Sequence, residues 1–294
     1  MEINAEVREV LKPGFKLGEG ALWDADRQLV WFVDIKRHLL WHFDPATGSN
    51  ASAEAPGQIG WALPAEGGLL LCGLKDGLYT FDPAHQKFER LMAVPGEPAG
   101  NRLNDACSDP WGRVWLGSMD DAEEHASGNF YVFDKGEIRQ AGPSGISITN
   151  GPAVSGSGDR IYFTDTVAKK ILVADLSASG VGEARPFVDT SVDFPDAYPD
   201  GPIVDVEDHV WTGLYFGSHV ARYSPDGKLV ASVKLPARDI TKMALGGADF
   251  RTAYVTTATK NLEPADAPKF PAAGNLLSFD SPVAGFATPK VKLG

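Results

Sequence analysis

Short apolar runs alternate with polar, glycine-rich stretches along the whole chain, and no apolar run is long enough to predict a helix. Six runs share one pattern: Val30-Trp31-Phe32-Val33-Asp34, Leu69-Leu70-Leu71-Cys72-Gly73, Arg113-Val114-Trp115-Leu116-Gly117, Arg160-Ile161-Tyr162-Phe163-Thr164-Asp165, His209-Val210-Trp211-Thr212-Gly213 and Thr252-Ala253-Tyr254-Val255-Thr256. Anchored at Trp31, Leu70, Val114, Ile161, Val210 and Ala253, they recur at steps of 39, 44, 47, 49 and 43 residues. Each is followed by a second alternating run closing on an aromatic-Asp or similar pair, as in Leu40 to Asp44, Leu78 to Asp82, Phe130 to Asp134, Ile171 to Asp175, Val220 to Ser224 and Leu276 to Asp280. Alternation punctuated by Gly, Pro and Asp is the pattern of strands and turns. A period of roughly 40–50 residues with about four strands is that of a propeller blade. The six units predict an all-β, six-bladed β-propeller filling residues 1–294 as one domain, since a β-sandwich would give six concordant units only by chance. Either Glu6 to Leu11 or Pro289 to Leu293 is expected to complete the last blade, and the Pro/Ala-rich stretch from Pro264 to Ala273 reads as a loop within it.

The stretch Asn101-Arg102-Leu103-Asn104-Asp105 reads as a polar loop, followed by an Asp109-Pro110-Trp111-Gly112 turn and then a strand. Pro110 pre-sets its backbone angle and Gly112 takes a positive φ. In a propeller, equivalent positions of successive blades lie at one height around the central channel. Nine to twelve residues before the six anchors stand Glu19, Trp61, Asn104, Asn150, Asp200 and the pair Thr241-Lys242. Four of these six positions carry oxygen donors. Singly, each reads as a turn residue, since Asn150-Gly151 and Asp200-Gly201 are ordinary turn dipeptides and Glu19 sits between glycines. Together they converge on the channel mouth, where one hard or borderline divalent cation would offset their charge and water would fill its remaining positions.

Composition narrows the function. The formal net charge of −12 argues against nucleic acid and anionic membrane as partners and otherwise serves solubility. Cys72 and Cys107 are too few for a disulfide framework. The mixed, charged start of the chain has no apolar signal core, and no later segment approaches membrane-spanning length, so a soluble, cytoplasmic, monomeric protein is expected and the Asn50-Ala51-Ser52 sequon is taken as chance. No Gly-x-Ser-x-Gly elbow, His-Glu-x-x-His motif or Gly-x-Gly-x-x-Gly loop occurs. His38 and His42 flank a strand, where the spacing of a helical zinc pair loses its meaning, and His125 reads as a surface residue.

The ordered set Leu17-Gly18-Glu19-Gly20-Ala21-Leu22-Trp23, Trp31 to Ile35, Asn101 to Asp105, Asp109 to Arg113, Ile148-Thr149-Asn150-Gly151, Pro199-Asp200-Gly201 and Gly246-Gly247-Ala248-Asp249 resembles the regucalcin/gluconolactonase family of metal-dependent sugar lactonases. Each motif is weak alone, but together they span nearly the whole chain. Ile148 to Pro152 and Tyr198 to Gly201 are most similar to the bacterial aldonolactonase branch, which handles pentonate and hexonate lactones. The resemblance implies one divalent metal acting as Lewis acid, with Glu19, Asn150 and Asp200 as ligands. It implies Arg102 and Asn104 as contacts to the sugar lactone. It also implies an acidic contact soon after the third apolar strand, which counting places at Asp121 or Glu123. Asp200 is expected to serve as ligand and general base, and Trp61 to stack on the sugar ring or to be a core tryptophan. Oxygen ligands suit calcium, magnesium, manganese, iron(II) or zinc. The rivals are a non-catalytic calcium- or partner-binding propeller, which has no use for Arg102 beside Asn104, and a different metal-dependent esterase on the same fold, which needs an apolar cleft.

Overall fold

Each apolar run becomes the second strand of a four-stranded antiparallel sheet, buried on both faces between its neighbours. In the computed structural model, which describes residues 1–294, six such sheets are arranged around a central channel as a six-bladed β-propeller. Blade one is Gly18–Asp24, Leu29–Asp34, Leu39–Phe43 and Asn50–Glu54, and blade two is Ile59–Pro64, Leu70–Leu74, Gly77–Asp82 and Lys87–Met92. Blade three is Asn101–Ser108, Val114–Asp120, Gly128–Asp134 and Glu137–Ile146. Blade four is Thr149–Val154, Arg160–Asp165, Lys170–Ser177 and Arg185–Asp189. Blade five has an inner strand split into Tyr198–Pro199 and Ile203–Val204, then Val210–Tyr215, His219–Tyr223 and Leu229–Lys234, with Glu2–Ile3 added in parallel at its outer edge. Blade six takes Asp239–Gly246, Thr252–Ala258 and Leu276–Asp280. No helix is long and apolar enough to cross a membrane.

The ring closes through Arg8–Leu11, which pairs antiparallel with Leu276–Asp280 as the outer strand of blade six. The other candidate for closure, Pro289 to Leu293, has a different place. From Ser281 to Lys292 the chain runs as a strap across one end of the channel. Its backbone bonds join Ser281 N–H to Arg251 O (2.7 Å), Val206 N–H to Ala284 O (3.1 Å), Lys292 N–H to Gly112 O (3.0 Å) and Val291 N–H to Pro64 O (2.9 Å). Phe286 and Pro289 of the strap help to wall an apolar cavity of about 110 Å³ inside that end. The stretch from Pro264 to Ala273 is a loop within blade six, interrupted by the 3-10 turn Ala267–Lys269.

Two local features build the blades. The Asp109-to-Gly112 turn forms as expected, with Gly112 at φ +84° and its N–H donating to Asp109 O at 2.9 Å. An aspartate at the end of the inner strand also accepts the indole N–H of the tryptophan on the next strand. The pairs are Asp24 with Trp31 (3.2 Å), Asp109 with Trp115 (2.8 Å) and Asp205 with Trp211 (2.8 Å). Each bond lets a large aromatic ring enter the core with its polar atom satisfied.

The polar stretches differ from expectation. Asn101–Ser108 is a strand, not a loop, and so are its counterparts in the other blades, which line the channel as innermost strands. They read as polar because they face the channel. Each is also interrupted: register shifts fall between Glu19 and Leu22, Ile59 and Trp61, Leu103 and Ala106, Asn150 and Ala153, and Ile240 and Met243. Such bulges break the two-residue alternation and re-aim side chains.

Candidate active site

Because the bulges recur at one height, they turn residues from different blades toward one point. Glu19 (blade one), Arg102 and Asn104 (blade three), Asn150 (blade four) and Asp200 (blade five) all line a cavity of about 290 Å³ at the channel end opposite the strap. Its mouth is formed by Glu123, Val167, Tyr198, Tyr215, Phe216 and Lys260.

A chain of hydrogen bonds fixes the polar wall. Arg102 Nη1 donates to Asn104 Oδ1 (2.5 Å), and Asn104 Nδ2 donates to Thr149 O (2.6 Å) and to Asn150 Oδ1 (3.1 Å). Thr166 Oγ1 gives its proton to Pro199 O (2.8 Å), so it can only accept from Asn150 Nδ2 (2.9 Å). This sets the orientation of the Asn150 amide, with Nδ2 on Thr166 and Oδ1 on the side of Asn104.

The two carboxylates each hold one backbone donor: Glu19 Oε2 accepts Gly20 N–H (3.1 Å) and Asp200 Oδ1 accepts Gly201 N–H (2.9 Å). Both residues are buried. Burial first, and then the charge of Asp105, pushes the Glu19 carboxyl up to about 8. Burial first, and then the charge of Glu19, raises Asp200 well above the usual carboxylate range. Two buried, mutually repelling carboxylates beside a fixed amide oxygen form a hard oxygen-donor set short of positive charge, and this set fits a divalent cation. No three His, Cys, Asp or Glu side chains converge in the structure, so such a cation would use two carboxylates and an amide.

The remaining sequence candidates separate. Glu123 lines the cavity, held at φ +63° and ion-paired with Lys260 across the mouth. Asp121 is not part of the lining. It accepts from Lys36 Nζ (2.7 Å), Lys75 Nζ (2.9 Å) and Gln58 Nε2 (2.7 Å) and faces Arg102 Nε at 3.3 Å. Burial opposes its charge, but these donors win and hold its carboxyl well below the usual range. Asp121 therefore positions Arg102 from behind. Trp61 lies outside the cavity: it is 1% exposed, with its ring over Gly73, where a Cβ would sit 2.2 Å from the indole. Of its two expected places, the structure gives the core. Tyr198, Tyr215 and Phe216 supply the aromatic surface instead, and no repeat position signalled them. Sequence reasoning also missed the buried pair of Asp105 and Lys242, with Nζ 2.5 and 2.6 Å from the carboxylate oxygens, although Lys242 occupies the equivalent position of blade six.

Residues 17–259, which hold every residue of this cavity except Lys260 and Asn261, match the SMP-30/Gluconolactonase/LRE-like region. The chain belongs to this family. Its relatives include a 6-deoxy-6-sulfogluconolactonase of Pseudomonas putida, 28% identical over 98% of this chain and 99% of the relative. An L-arabinolactonase of Azospirillum brasilense is 33% identical over 93% and 91%. Among solved structures, a calcium-binding protein, regucalcin, from Agrobacterium tumefaciens superimposes with a TM-score of 0.92 at 26% identity, covering 97% of both chains. The family thus joins proteins named as sugar lactone lactonases with proteins named as regucalcins.

Proposed function

We propose that the chain hydrolyses an aldono-lactone, a pentono- or hexonolactone such as xylono-, arabinono- or gluconolactone, to the aldonic acid. The observation that carries this reading is the cavity wall, where the chain Arg102–Asn104–Asn150 adjoins the carboxylates of Glu19 and Asp200. Glu19, Asn150 and Asp200 would hold one divalent cation, which when bound supplies Lewis-acid polarisation of the lactone carbonyl. Asp200 accepts a proton from the attacking water as the new C–O bond forms, and the proton passes to the ring oxygen as the ester bond breaks. Arg102 spends Nη1 on Asn104 and turns Nε toward Asp121, which leaves Nη2 for a sugar hydroxyl. The second lone pair of Asn104 Oδ1 and the carboxylate of Glu123 are the other polar contacts, and Tyr215 and Phe216 offer apolar faces to the ring. The same reading takes residues 1–294 as one domain acting as a cytoplasmic monomer on a diffusible substrate.

The test is pH-stat hydrolysis of an aldonolactone panel, comparing chelator-treated protein with the same protein after each divalent metal is restored. Acid release from one or a few lactones, restored by one ion, is expected. Release no faster than the spontaneous rate with any ion would transfer the reading to a cation-binding propeller. Arg102→Ala is expected to lower kcat/KM about 10–100-fold, as loss of a charged hydrogen bond of about 1.5–3 kcal/mol requires. Divalent affinity is expected to stay unchanged by calorimetry. Loss of the cation with Arg102 would instead place that residue in cation binding.

A further inference from the structure

No residue of the inner strand of blade six, Asp239–Gly246, lines the cavity. Yet two of its residues touch the segments that carry Glu19 and Asp200, and reach the segment that carries Asn150 through Asp105. The Thr241 hydroxyl donates to the carbonyl of Gly18, the residue before Glu19, at 2.6 Å. The Lys242 stem crosses Gly201, the residue after Asp200, so closely that a Cβ there would lie 2.7 Å from Lys242 Cγ. The Lys242 ammonium then grips Asp105, whose Oδ2 accepts the N–H of Gly151, the residue after Asn150, at 2.9 Å. Asp105 is also tied to blade three through Ala106 N–H at 2.8 Å. Neither Asp105 nor Lys242 lines the cavity, both are buried, and Lys242 faces the apolar cavity on the strap side.

We propose that Thr241, Lys242 and Asp105 form a brace that sets the spacing of the three ligand-bearing inner strands without touching substrate or cation. A buried ion pair is poor evidence for stability, because desolvating both ions offsets much of their attraction, and an apolar pair of similar volume often folds as well or better. Position is what this pair supplies: Asp105 of blade three holds the residue next to Asn150, Lys242 of blade six packs on the residue next to Asp200, and Thr241 holds the residue before Glu19. Partners behind metal ligands typically contribute about 10–100-fold in affinity.

This inference rests on the reading of Glu19, Asn150 and Asp200 as cation ligands, and the experiment separates the two. Calcium and manganese chloride are titrated calorimetrically into chelator-treated full-length protein, with thermal unfolding measured in parallel. The variants are Lys242→Met combined with Asp105→Leu, and Thr241→Val alone. The double variant is expected to melt at or above the wild-type temperature and to bind either ion at least tenfold more weakly. Thr241→Val, which changes no charge and stands in if the double variant does not fold, is expected to bind at least threefold more weakly. A folded variant of either kind with wild-type affinity overturns the brace while leaving the ligand reading intact. If the wild-type chain binds neither ion, magnesium, zinc and iron(II) are titrated in turn and the variants compared with whichever binds; a wild-type chain that binds none of the five overturns the ligand reading, and the brace with it.

Discussion

Asp200→Ala is expected to abolish lactone hydrolysis while the protein stays folded. As general base, Asp200 is worth about 10²–10⁴-fold in rate, and the variant also loses a ligand, so kcat should drop at least that far. Its backbone is held independently of the carboxylate: Asp200 N–H donates to Gly213 O (2.9 Å) and Thr212 Oγ1 donates to Asp200 O (2.6 Å). The substitution also removes a buried carboxylate whose charged form is disfavoured by burial and by Glu19, so the cation-free variant should melt no lower than the wild type. Initial rates by pH-stat beside a thermal melt check both parts. Activity within tenfold of wild type would remove Asp200 from the chemistry.

Cation-free protein is expected to lose stability as pH rises from about 4.5 to about 8, the interval over which burial and Asp105 keep the Glu19 carboxyl protonated in the folded state. Across it the unfolded chain has released the proton that the native chain retains, so stability falls with increasing pH. Asp200, raised in the same direction, adds to the slope. Asp121 carries the opposite sign, because its carboxyl is depressed. Its contribution is fully present above the ordinary aspartate range and is lost only on acidification below it, outside this interval. Glu19→Gln should flatten the profile and stabilise the cation-free protein at pH 8 by on the order of a few kcal/mol. A restored divalent cation competes with the same protons, so it should raise the melting temperature more at pH 8 than at pH 5. Melting curves in chelator at the two pH values decide this. Coincident profiles for wild type and Glu19→Gln would show that Glu19 is not held protonated.

The architecture was legible because the apolar second strands, anchored at Trp31, Leu70, Val114, Ile161, Val210 and Ala253, are buried in every blade and so recur. The positions of Glu19, Asn104, Asn150 and Asp200 followed by rotational equivalence, without any contact being known. Their secondary structure did not follow. A strand that faces a polar channel and carries a bulge at its working residue has neither alternation nor an apolar face, so Asn101–Ser108 passes for a loop. The bulge also explains Trp61, since equivalence of position does not carry equivalence of direction, and here the ring turns to the space above Gly73. Asp121 and Glu123 could not be told apart by counting, because the choice depends on a left-handed backbone at Glu123. The brace joins Asp105 to Lys242 across 137 residues, a pairing that single-chain patterns do not encode.

The strap and the outer strand of blade six also constrain when the protein can come into being. Arg8–Leu11 leaves the ribosome early but has no partner until Leu276–Asp280 has been made. Bonds from Ser281 to Lys292 reach back to Arg251, Val206, Gly112 and Pro64. At about 5–20 residues per second, roughly a quarter of a minute to a minute of synthesis separates the two halves of the seam. For that interval the nascent chain carries a waiting edge at each end of the unclosed ring. Gly18, beside Glu19 in the first blade made, meets Thr241 of blade six only when synthesis of the propeller is nearly done. The cavity is thus assembled last, although its first residue is among the earliest to emerge.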